Sequence, residues 1–140
     1  MKALLVYYSF TGQAQRAIEI AAQRCRDAGF ETTLCRIDFA EPSLRLKRPM
    51  SPGQVKRWTA AAAAGETFAL SVEPAAALQG AYDFVGLFSN TWQDHPAPPI
   101  RSLLALPQMQ AVLAGTPFAV YVICRWLWKN NAQIVQREAE

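Results

Sequence analysis

Near the start of the chain, Ser9-Phe10-Thr11-Gly12-Gln13 sets two hydroxyls in a Ser-x-Thr spacing directly before a glycine. Such a turn at the start of a helix can gather hydroxyls and unpaired backbone N–H groups around one phosphate, and the positive end of the helix adds to the attraction. Gly12 permits the close approach. A simpler role suits the same residues, since capping the helix needs only one hydroxyl oxygen. A second group, Ser89-Asn90-Thr91-Trp92-Gln93-Asp94-His95, combines an aromatic plate with amide donors and holds the only histidine. Trp92 can stack on a planar ring or close the top of the core, and His95 can donate a proton to a reacting centre or simply face water. In a third, Cys124-Arg125-Trp126, the cation and the indole can pair with an anionic ligand and cover a ring, or fill the space a ring would need. Trp128 just beyond suits a helix core.

These groups need elements to hold them. Ala3 to Tyr8 is a continuous apolar run, the pattern of a strand buried on both faces of a parallel sheet. Ala14, Ala17, Ile18, Ala21, Ala22 and Cys25 then repeat with a helical period, and Gly29 supplies the stop. Thr32 to Ile37 has the β-branched content of a strand at a sheet edge. Two further buried strands are expected at Tyr82 to Phe88 and Pro117 to Ile123, with a covering helix over Pro99 to Leu113 between them and a last helix over Leu127 to Arg137. The alternation implies a parallel sheet with right-handed crossovers. Phe39 to Gly80, with four prolines, is expected to be an irregular crossover containing a helix from about Gly53 to Ala64 and a strand-like Thr67 to Val72. Ligands of such sheets sit beyond the carboxyl ends of the strands, which is where all three groups fall.

Composition narrows the classes. With 140 residues, 51% apolar and 18% charged, the chain suits a single domain over residues 1–140. No apolar run approaches a membrane span and no signal peptide is evident, so a cytoplasmic protein is expected. Cys25, Cys35 and Cys124 form no C-x-x-C pair and indicate neither a disulfide framework nor a metal site; buried free thiols are the simpler reading. The net charge is +3, and Arg45, Lys47, Arg48, Lys56 and Arg57 cluster in one stretch that can attract an anion or form a solvated face. No recognisable nucleic-acid-binding module accompanies it.

On these residues the chain resembles the flavodoxin family, whose phosphate loop has the pattern Ser/Thr-x-Thr-Gly-x-Thr after an apolar strand ending in aromatic residues. Ser9, Thr11 and Gly12 match; Gln13 stands where the family often has Asn, and Ala14 where it usually has Thr. Tyr82 to Phe88, followed by a loop rich in proline and containing Trp92, looks like the family's third strand and flavin-ring loop. Trp92 with Pro96, Pro98 and Pro99, then Ile100 to Leu104, then Cys124 to Asn131, resembles the N-terminal part of a flavodoxin-fold subgroup known as dialkylresorcinol condensing enzymes.

The resemblance implies a three-layer α/β fold with FMN as cofactor. It places Ser9, Phe10, Thr11, Gly12, Gln13 and Ala14 at the phosphate, and Ser89, Asn90, Thr91, Trp92, Gln93, Cys124, Arg125 and Trp126 around the ring, with His95 as a proton donor. The implied function is an oxidoreductase, and the basic charge favours reduction of quinones or other small acceptors over an electron carrier. The rival reading is a cofactor-free binding or accessory module of the same fold, and the subgroup resemblance implies a third, a part in an aromatic-lipid biosynthetic complex. The expected strand order is 2-1-3-4. A fifth strand is absent, because nothing after Asn131 is apolar and β-branched enough to form it. The bare edge at Pro117 to Ile123 is then expected to be covered by a second copy in a homodimer or by Thr67 to Val72.

Overall fold

The computed structural model describes residues 1–140, and its first strand sets the frame for the rest. In β1 (Lys2–Tyr8) every residue after Lys2 is buried. Leu4, Val6 and Tyr8 enter the larger core cluster on one face, and Leu5 and Tyr7 a smaller one on the other. The smaller cluster is closed by α1 (Gln13–Asp27), whose Ala14, Ile18 and Ala22 are buried at helical spacing. Burying Ile18 contributes about 2 kcal/mol, and the alanines beside it let the helix lie close to the strands. Gly29, at φ 84, turns the chain into β2 (Glu31–Phe39), parallel to β1 with Leu5 opposite Leu34.

The crossover is more ordered than its prolines suggest. α2 (Pro52–Ala64) opens on a reciprocal cap in which Ser51 Oγ accepts from Gln54 N–H and Gln54 Oε1 accepts from Ser51 N–H. Its Trp58 packs on Phe39, with ring centroids 4.9 Å apart, and on Phe68. β3 (Leu70–Glu73) then pairs antiparallel with β2, Ile37 opposite Val72. β2 is therefore an interior strand rather than the expected edge. The Thr67 to Val72 segment does supply a strand, but on the far side of the sheet from the edge it was expected to cover.

β4 (Phe84–Trp92) lies parallel to β1 on its other side, and a Cβ at Gly86 would meet Leu5 Cδ2 at 2.6 Å, so the buried leucine would have to shift. This strand runs four residues further than expected, so Ser89 to Trp92 are strand and not loop. After a tight turn, β5 (His95–Pro96) folds back on it with Trp92 opposite His95. The covering helix is split into α3 (Pro98–Leu104) and α4 (Pro107–Leu113), since Leu106 precedes a proline and takes an extended conformation. β6 (Phe118–Ile123) pairs parallel with β4, and α5 (Trp128–Ala139) returns over the larger cluster through Val135 and Ala139.

The main sheet thus runs β3-β2-β1-β4-β6, with the small hairpin strand β5 extending from β4. Its four parallel strands follow the expected 2-1-3-4 order. No strand follows β6, whose outer edge has no partner in the chain. α1 covers one face, and α3, α4 and α5 the other.

Candidate functional site

The strand order reverses at β1: the chain moves outward to β2 and then returns to β4 on the opposite side. The carboxyl ends of β1 and β4 therefore flank the crevice where ligands of doubly wound sheets bind. The turn Ser9 to Gly12 leaves β1 there. Ser9 Oγ accepts from Gly12 N–H at 3.1 Å, which folds the turn on itself, and neither Ser9 nor Thr11 caps α1. The first amide of the helix to find a backbone acceptor is Arg16 N–H, which donates to Gly12 O at 3.1 Å. Those of Gln13, Ala14 and Gln15 have no intrahelical partner and face out of the N-terminus. Gly12 holds φ 80, and a Cβ there would meet nothing within 4 Å.

Electrostatics favour an anion here. Tyr8, just before the turn, is buried, and burial raises its phenol pKa above the ordinary value with Asp38 acting in the same direction. It therefore stays neutral. From the crossover, the Arg48 guanidinium lies 5.6 Å from the Phe10 ring centroid and in no ion pair with a carboxylate. Ala14 is fully buried against the sheet, so its side chain offers a ligand no contact.

At the end of β4 the side chains are divided between scaffold and crevice. Asn131 of α5 is completely buried. Ser89 Oγ donates to Asn131 Oδ1 at 2.8 Å, and Asn131 Nδ2 donates to Thr91 Oγ1 at 2.9 Å and to Asn90 O at 3.1 Å. Ser89 and Thr91 are thereby consumed in fastening β4 to α5. Asn90 is the exception: its Oδ1 is buried and accepts no hydrogen bond from the chain.

The other expected residues fall around this pair. Trp92 is half-buried, 6.1 Å from Phe10 by ring centroid, and packs on both the large cluster and the Phe39–Trp58 group, so it closes the top of the core. Gln93 is an exposed turn residue at φ 57. His95 is oriented by Asp94, whose Oδ1 lies 2.6 Å from Nδ1, and Asp94 is itself reached by Asn130 Nδ2 at 3.4 Å. Cys124 and Arg125 are exposed, and Trp126 stands 73% exposed, so these side chains do not fill a pocket. Two expectations are corrected: Trp128 is largely exposed instead of forming helix core, and of the three thiols only Cys35 is fully buried. Burial pushes the Cys35 thiol up to about 12, leaving it inert.

Two participants escaped the sequence reading. Asn131 had a visible signal: it shares a helical face with Ile134, Val135 and Ala139, so a polar residue occupies a core-facing position. Arg48 appeared only within the basic stretch, and no local pattern links it to Phe10.

No protein-family model and no curated protein matches the sequence. Among solved structures, a flavoprotein from Lactobacillus acidophilus NCFM, determined in complex with FMN, is similar over 99% of this chain and 86% of its own. The TM-score is 0.75 at 18% identity. The chain thus has a flavodoxin-like α/β fold.

Proposed function

We propose that the chain is an FMN-binding oxidoreductase of the cytoplasm that reduces quinones or other small acceptors. The observation that carries this reading is the uncapped N-terminus of α1, opening beside Gly12 at the reversal of strand order. The ester phosphate is held by the hydroxyls of Ser9 and Thr11 and the amide of Gln13, with Arg48 adding positive charge. Asn90 Oδ1 accepts a hydrogen bond from the bound molecule, and Trp126 and Arg125 flank the ring. A flavin bound there supplies hydride and one-electron transfer, and His95, oriented by Asp94, holds a proton beside the same crevice. The fold shared with a protein solved in complex with FMN supports the choice of cofactor.

The test is a titration followed by flavin fluorescence. FMN is expected to be quenched with a Kd at or below the micromolar range, and riboflavin, which lacks the phosphate, to bind at least about tenfold more weakly. No quenching at about 100 μM FMN overturns the reading. We further propose that a second copy pairs along the outer edge of β6, which carries no charge to discourage it. Sedimentation is expected to show a dimer, and a monomer at high concentration contradicts it.

A further inference from the structure

Every residue from Cys124 to Lys129 is exposed. Three in succession are large and apolar: Trp126, Leu127 and Trp128 show 73%, 51% and 57% of their surface. Packing does not explain them, and neither does the backbone. Leu127 holds φ 57, a left-handed conformation that asparagine or glycine adopts at lower cost than leucine. Flavin binding uses Trp126 at most and gives Leu127 and Trp128 no role. An exposed apolar patch of this kind marks a contact with something outside the fold.

The flanking charges say what that contact is. Arg125 and Lys129 bracket the apolar trio, and neither lies in an ion pair. No acidic residue occurs between Asp94 and Glu138. Asp94, the carboxylate that reaches this neighbourhood, is engaged by His95 and Asn130. The larger surface cavities are lined by other residues, so the trio is not the wall of a groove shaped for a partner's side chains. Cation, indole, leucine, indole, cation is a gradation suited to a lipid surface. Indoles settle at the headgroup level, an apolar side chain reaches the acyl boundary, and cations meet phosphates. The contact is interfacial, since no helix is long and apolar enough to cross a membrane.

From this we propose that the loop Arg125 to Lys129 docks the protein on the surface of an anionic lipid bilayer. The inference shares Arg125 and Trp126 with the flavin reading but rests on Leu127, Trp128 and Lys129, which that reading does not use. Its test uses the full chain with phosphatidylcholine vesicles made with and without phosphatidylglycerol. The protein is expected to sediment with the anionic vesicles and its tryptophan emission to shift to the blue. Replacing Arg125 or Lys129 by Gln is expected to weaken that binding about fivefold each, with added salt acting in the same direction. The decisive variant is Leu127→Asn with Trp128→Gln, because asparagine suits the left-handed position and the fold survives. It is expected to lose at least about tenfold in vesicle binding while keeping the parent's circular dichroism and FMN affinity. Vesicle binding equal to the parent's in that variant overturns the proposal, as does a parent that ignores both vesicle types. A parent that self-associates through this patch, and releases on the double substitution without ever binding vesicles, assigns it instead to a second copy. FMN titration of the same samples separates a failure of docking from a failure of the flavin reading.

Discussion

The two strand ends that flank the crevice use similar side chains in opposite ways. At β1, Ser9 and Thr11 precede a helix whose opening amides are left without partners, and the single internal bond of Ser9 only shapes the turn. At β4, Ser89 and Thr91 are tied to Asn131, and Asn90 alone keeps a buried acceptor unpaired. Residue type therefore does not separate ligand contact from scaffold here; the presence of an internal partner does. Unsatisfied polar groups are costly in a folded interior, so those that remain at a strand end point to what binds there.

The largest effect is expected from Asn131→Ala. It removes the partner of Ser89 and Thr91 together and should cost about 3 kcal/mol, seen as a lower urea midpoint at unchanged slope. A loss below about 0.5 kcal/mol would show that the network is not a fastening and that the contrast between the strand ends is wrong. Gly12→Ala comes next, at about 1–2 kcal/mol, from the left-handed backbone alone because the added methyl meets no neighbour. FMN affinity should fall with it. Gly12→Asn should recover part of the stability, since asparagine tolerates this conformation.

Much of this architecture was legible in the sequence, because buried parallel strands and the clean period of α1 are local patterns. The turn at Ser9 to Gly12 was legible as a turn for the same reason: it lies within four consecutive residues. What escaped depends on distance. Whether Ser89 and Thr91 face a ligand or a scaffold is decided by Asn131, some forty residues later in the chain. The position of β3 beside β2 instead of β6 is a choice between edges that a short β-prone segment cannot express by itself. Trp128 was misplaced because helical periodicity marks a side of the helix without saying whether anything covers it.

The smallest stability changes discriminate best between the strand ends. Thr91→Val removes one acceptor of Asn131 Nδ2 while Asn90 O remains within reach, so a loss of about 1 kcal/mol is expected, with FMN affinity unchanged. Asn90→Ala should do the reverse. Its Oδ1 forms no internal bond, so truncation gives up a buried polar atom that the folded chain does not satisfy, and stability should hold or rise by up to about 1 kcal/mol. FMN affinity should fall by about tenfold if that atom accepts from the ligand. A residue whose removal leaves the fold at least as stable and the cofactor loosely held belongs to the site, and chemical denaturation paired with the FMN titration measures both. If Asn90→Ala instead destabilises the protein and binds FMN like the parent, Asn90 is scaffold, and the ligand is held from β1 alone.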